Sequence, residues 1–386
     1  MRTTMPKREF DVVLYGATGF TGRQTVRYFA EFAPPDLKWA IAGRNLNKLQ
    51  ALKCGVPVIV ADSSDQTAID AMVTRTRVLL TTAGPFALHG TGIVDACVRL
   101  RAHYCDITGE TPWVRGLIDR YQGKASAEGT RLIPFCGFDS VPSDLGAMLI
   151  AGALGPQTLT VTALFQMAGG LNGGTLASAL NMAETGADKQ MRDPFLLSPL
   201  LRRPLQDFEH DPTAARFDET TKTWLAPFVM SPINTRVVRR SCQILGLDYA
   251  YQEYLKMEGT MAGPLAVGLA AGSALLDAGL RFSPVRQLLR LAAPAPGSGP
   301  SEKTMDNGWF RCELAGYSSD GRIARAIIAD KGDPGNRVTV KCLCESALAL
   351  ALDELPARAG FLTPSTGLGD ALVERLRHRG MELSVS

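Results

Sequence analysis

Residues 11–22 read Asp-Val-Val-Leu-Tyr-Gly-Ala-Thr-Gly-Phe-Thr-Gly, and they restrict the fold of this chain more than any other stretch. Val12 to Tyr15 make a short buried strand. Glycines follow at 16, 19 and 22, and residues 23–32 have the spacing of an amphipathic helix. A strand that turns through glycines into a helix leaves backbone N–H groups unpaired at the turn. Those groups and the helix dipole together bind a pyrophosphate. Gly16 permits the tight turn, Gly19 lets a phosphate approach the backbone, and Gly22 lets helix and strand pack closely. Thr18 and Thr21, on either side of Gly19-Phe20, add hydroxyl donors. The pattern predicts a dinucleotide site; a tight structural turn is the plainer alternative.

The choice of dinucleotide rests on the end of the second strand. An NAD site usually carries Asp or Glu there, to accept from the ribose 2′-hydroxyl. Residues 38–42 form that strand here, and it runs into Gly43-Arg44-Asn45 with no carboxylate. A guanidinium at Arg44 suits a 2′-phosphate, since its fork pairs with phosphate oxygens and its face can stack on adenine. Asn45 belongs to the same rim, and Lys48 adds charge one turn later. The expected cofactor is NADP.

Strands and helices keep alternating. Residues 58–61 are a third strand ending at Asp62, close to where an adenine would lie. Residues 78–82 are a fourth, leaving through Ala83-Gly84-Pro85-Phe86, a small-residue exit against which a cofactor can lie. Short strands follow at 103–106 and 132–135. Six strands with crossover helices predict an α/β fold, a doubly wound Rossmann-type parallel sheet, over residues 1–144. Beyond Gly155-Pro156 the pattern changes. Strands are expected at 158–166, 237–242, 248–254, 309–314 and 322–329, with an irregular excursion at 188–222. A second, mixed α+β domain over 145–330 fits, for substrate binding or dimerisation. Residues 331–386 are expected to pack back on the first domain.

Composition excludes some classes. The 386 residues suffice for two cores, and the formal charge is only +3. No dense basic run interleaves with aromatics, so no nucleic-acid surface is expected. Eight scattered cysteines offer no metal-ligand spacing, and no metal is expected. With no apolar leader at the N-terminus, they point to a reducing, cytoplasmic setting. One stretch is unusual: residues 261–276 carry no charge. Arg281, Arg286 and Arg290 then interleave with Phe282, Val285, Leu288, Leu289 and Leu291. That is short for a bilayer span, but it suits a peripheral contact through 261–291 with the inner face of the plasma membrane. A buried hairpin or a homodimer contact is the other reading.

A hydride donor needs no protein nucleophile, only positioning and usually one proton donor. The reacting end of the cofactor should lie beyond strands four to six, near Pro85, Phe86, His89, Tyr104, Asp106, Glu110, Phe138, Asp139 and Ser140. His89 and Tyr104 are the candidate proton donors. Asp139 is either a third catalytic group or, like Asp144, a cap for the following helix. The chain has no Tyr-x-x-x-Lys pair of the kind that short-chain reductases use.

Taken together, residues 16–22, Ala42-Gly43-Arg44, Thr82-Ala83-Gly84-Pro85-Phe86, 103–110 and 136–144 resemble the saccharopine dehydrogenase-like oxidoreductases. The chain is most similar to their trans-acting enoyl reductase branch. Residues 173–175, 227–230, 237–241, 332–335, 345–348 and 362–364 extend the resemblance over nearly the full length. Ala83 departs from the valine of many members, a change expected to be neutral. The resemblance implies a Rossmann domain, a second α/β domain, and reduction of a carbon–carbon double bond in a hydrophobic, polyketide-derived lipid. Two alternatives stand beside it. One is a saccharopine-type amino-acid oxidoreductase, for which Arg236, Arg239 and Arg240 would be the residues to pair a substrate carboxylate. The other is a non-catalytic NADP-binding protein at a membrane.

Overall fold

β1, Phe10–Tyr15, is buried on nearly every residue, as the central strand of a parallel sheet must be. The computed structural model describes residues 8–169, 173–201, 203–292 and 298–386. Beside β1 lie β2 (Trp39–Gly43) and then β3 (Val58–Val60) on one side. On the other side lie β4 (Thr76–Thr81), β5 (His103–Asp106), β6 (Arg131–Ile133) and β13 (Gly360–Phe361). All pairings are parallel. The order β13-β6-β5-β4-β1-β2-β3 reverses direction between β1 and β4. A crevice opens at that switch point, outside the carboxyl ends of the strands.

The six expected strands are all present, and the seventh comes from the far end of the chain. The helix Thr339–Leu352 packs across β4, β5 and β1, so residues after 331 do return to the first domain. They do not all stay there. β14, Glu382–Val385, pairs with the edge of the second sheet.

The second sheet runs β14-β12-β11-β7-β10-β9-β8. It comprises β7 (Thr158–Ala168), β8 (Arg216–Asp218), β9 (Thr223–Pro227), β10 (Ala250–Met257), β11 (Trp309–Ser318) and β12 (Ile323–Lys331), with β14 at its edge. Only β7 and β10 pair in parallel. The helix Val141–Leu154 covers one face. Its small residues allow close approach: a Cβ on Gly146 would lie 2.8 Å from Leu314.

The strand expected at residues 237–242 is instead the middle of the helix Ser231–Leu245. Its β-branched pair, Val237-Val238, favours a strand locally. The arginines at 236, 239 and 240 fall at helical spacing, and tertiary contacts to them decide the outcome. The helix expected from a Thr175 cap begins at Gly173, so Thr175 lies inside its first turn; residues 170–172 are outside the described set.

Candidate active site

The turn after β1 has the geometry a pyrophosphate needs. Gly16 has φ +87°. The Gly16 and Ala17 amides donate to the Ala42 carbonyl, which locks the turn to β2. A Cβ on Gly22 would sit 2.1 Å from the Gly16 carbonyl oxygen, so only glycine lets the helix start this close. Gly19 differs. Its backbone is extended, and a Cβ would meet only the Gly16 carbonyl, at 3.3 Å. The fold itself makes little demand for glycine there. The helix Phe20–Phe32 has no side-chain cap, so its leading N–H groups are left for an anion. The Thr18 and Thr21 carbonyls are held by Arg23 and Thr25, while their side chains stay half-buried. The Phe20 ring lies under the backbone of Gly299.

Arg44, just past β2, is exposed and makes no ion pair among the described residues. Asn45 is partly occupied: its side-chain oxygen caps the helix Leu46–Gln50 by accepting from the Lys48 amide. The exposed Lys48 side chain stands on the same short helix. Asp62 turns onto Ser64, whose amide and hydroxyl hold its carboxyl below the usual range. Arg44 and His89 are close enough to add to that shift.

His89 therefore stands on the side of Asp62 and Arg44. Its Nδ1 is 3.3 Å from the hydroxyl of Ser63, past the end of β3, so a structural partner takes that ring nitrogen. Tyr104 is removed from the list of proton donors. It is 1% exposed, and its hydroxyl donates to Asp106 at 2.6 Å, so it is a core group that no substrate touches. Asp106 is also fully buried, and burial pushes its carboxyl up to about 7 despite the Thr108 and Phe135 amides that donate to it.

β4 leaves through Thr82, Ala83, Gly84 and a cis peptide to Pro85. Thr82 and Ala83 lie against Gly16, so this exit crosses the mouth of the phosphate turn. The next turn, Phe86–His89, is held by Glu110. One carboxylate oxygen accepts from the Phe86 amide at 2.8 Å, and the other from the Ala87 amide at 2.9 Å. Ser178, on the helix Gly173–Thr185, donates to Glu110 at 2.8 Å. Sequence reasoning put Glu110 near the crevice without seeing this clamp, and it had no signal for Ser178.

The loop after β6 completes the wall. The Cys136 amide is spent on the Asp106 carbonyl and the Phe138 amide on Thr339 Oγ1, so neither can serve as an oxyanion donor. Ser140 donates to Asn234, which donates to the buried Glu253. Asp139 is left half-buried with no hydrogen-bond partner among the described residues, and burial raises its carboxyl to about 6. It caps no helix, whereas Asp144 is tied to Ser241 and the Ser365 amide. Behind the loop the second sheet is aromatic. Phe138 lies 4.9 Å from Phe310 and 6.2 Å from Phe165, which lies 4.7 Å from Phe228.

The three arginines of the helix Ser231–Leu245 face inward. Arg236 pairs with Asp211 and donates to the Met191 carbonyl. Arg239 pairs with Glu209 and donates to the Pro194 carbonyl. Arg240 donates to the Leu197 and Phe361 carbonyls and to Gln122. They fasten the irregular excursion and are 0–6% exposed.

Comparison with known proteins agrees with this geometry. Residues 12–133 match the saccharopine dehydrogenase NADP binding domain. Over 99% of both chains, 36% of residues are identical to a Mycobacterium tuberculosis protein provisionally named a trans-acting enoyl reductase. A trans-acting enoyl reductase of Mycobacterium ulcerans is 34% identical over 98% of each chain. Among solved structures, the apo saccharopine dehydrogenase (L-Glu forming) of Saccharomyces cerevisiae superposes with a TM-score of 0.56. It covers 97% of this chain and 99% of its own at 15% identity, a likeness of fold alone.

Proposed function

The chain belongs to the saccharopine dehydrogenase-like family, in its trans-acting enoyl reductase branch, and is an NADP-dependent oxidoreductase; from that premise we propose that it reduces a carbon–carbon double bond in a hydrophobic enoyl substrate. One observation carries this reading over the amino-acid alternative. Arg236, Arg239 and Arg240 are consumed inside the protein, so none of the three is available to a substrate carboxylate.

NADPH, when bound, supplies the hydride. Arg44 and the uncapped helix Phe20–Phe32 would hold its phosphates, and the backbone of Ala83 to Phe86 would flank it at the crevice. Glu110 keeps that backbone in register. Asp139 is our choice for the group that holds and returns the proton, because its carboxyl is partly open, unpaired among the described residues and tuned towards neutrality.

Loss of NADPH absorbance tests the reading, with a long-chain 2-enoyl thioester in one arm and an amino acid plus a 2-oxo acid in the other. Turnover is expected in the first arm. Turnover confined to the second would overturn the assignment.

A further inference from the structure

A helix that leaves most of its apolar side chains uncovered marks a contact surface. The helix Ala262–Leu280 is such a helix over its second half. Ala262, Gly263, Ala266 and Ala270 bury one stripe at its base, where Gly263 packs on Trp224. From residue 271 to 278 every side chain is exposed, with Leu275 at 74%. The next helix, Ser283–Ala292, is amphipathic. It leaves apolar as well as polar side chains uncovered, with Leu288 66% and Leu291 85% exposed, and Phe282 just before it is 65% exposed.

We infer that this hairpin seats the protein on one leaflet of an anionic phospholipid bilayer, with both helices in the interfacial plane. A second copy of the chain would cover one face of the first helix and leave the others wet. A leaflet takes the exposed apolar side chains of both helices at once, Leu275 and Leu276 on the first and Leu288 and Leu291 on the second. Charge agrees: Arg281 and Arg286 stand at the turn between the helices, against the single carboxylate of Asp277. The side chain of Arg290 lies outside the described residues.

Nineteen residues are long enough to cross a hydrocarbon core, yet the geometry favours an in-plane seat. The far end of the helix carries the Asp277–Arg281 pair, which resists the bilayer centre. The second helix then turns back to pack against Gly173–Thr185.

The seat borders the crevice on two sides. Ser178, on the helix that supports the hairpin, donates to Glu110. Gly299, shortly after the hairpin, lies on the ring of Phe20 at the phosphate turn, where a Cβ would come within 2.4 Å of it. Such a seat would bring the crevice of an enzyme acting on an apolar substrate near the leaflet that holds it. That use rests on the enoyl reading; the seat itself does not.

Flotation of the full chain tests the seat without any assay of activity. The probes are vesicles of phosphatidylcholine with about a third phosphatidylglycerol, and vesicles of phosphatidylcholine alone. The protein should float with the anionic vesicles and release as salt rises from about 0.1 to about 0.5 M. The double variant Leu275→Asp/Leu288→Asp should float on the order of tenfold less while still binding NADPH, since both side chains are exposed and away from the crevice. Three results would overturn the proposal: wild-type protein left in the dense fraction, a double variant that floats equally well, or a dimer that the double variant splits without any flotation of wild type.

Discussion

The carboxylate of Glu110 accepts the Phe86 amide at 2.8 Å and so ties the end of β5 to the turn after β4. The Ala87 amide and Ser178 complete the set, and the carboxylate is fully buried. A charge-assisted bond of this kind contributes roughly 1.5–3 kcal/mol. Glu110→Gln should lower the melting midpoint by roughly 3 °C or more and weaken NADPH binding, because the amide cannot serve both N–H donors. Calorimetry with and without NADPH measures both effects. Wild-type values for both would mean that the clamp carries no load.

Arg44 is expected to set the cofactor preference. Arg44→Ala should weaken NADPH binding about tenfold or more, the effect of losing one charge-assisted contact, and leave NADH nearly unchanged. Titration of both cofactors reads this directly. Equal losses for the two would move 2′-phosphate recognition elsewhere.

Gly19 and Gly22 should fail in different ways. Gly19→Val should give a folded protein that does not bind the dinucleotide, since the backbone is extended and the new side chain enters the phosphate space. Gly22→Val should fail to fold or melt far lower, since its Cβ would strike the Gly16 carbonyl at 2.1 Å. Circular dichroism and cofactor titration on the pair separate a ligand demand from a packing demand. The same phenotype in both would refute the distinction.

Asp139 predicts a pH dependence with a definite sign. Burial raises its carboxyl to about 6, so the folded state holds the proton more tightly than the unfolded chain does. This group's contribution to stability is present at low pH and is lost as pH rises through about 6. The protonated form is the one that can donate, so kcat/KM should fall above that value. Asp139→Asn should remove that limb and slow turnover by about a hundredfold, with NADPH affinity kept. A pH profile of Asp139→Asn that matches wild type would release the role to water or to another group.

Arg239 should matter to the fold and not to substrate. Arg239→Met leaves Glu209 with only Arg203 as its ionic partner and takes the donor from the Pro194 and Glu209 carbonyls, a loss of roughly 1.5–3 kcal/mol. Chemical denaturation should show this loss. Full stability combined with a raised KM would put Arg239 back in the substrate site.

Some of this protein was settled within a few residues of chain. The strand, the glycines at 16, 19 and 22 and the helix after them obey steric rules that span a dozen positions, so their conformation is written locally. The exposed Arg44 in place of a carboxylate is legible for the same reason. Other features depended on partners far along the chain. Tyr104 looked like a donor until Asp106 claimed its hydroxyl in the core, and one ring nitrogen of His89 turns to Ser63. Val237-Val238 reads as a strand, but the carbonyls at 191, 194 and 197 make a helix of it by taking the arginines on its face. β13 and β14 are a few residues each, and they join different sheets because each finds an open edge. Local pattern states what a segment can do; burial and the partners that meet it there decide what its side chains are left to do.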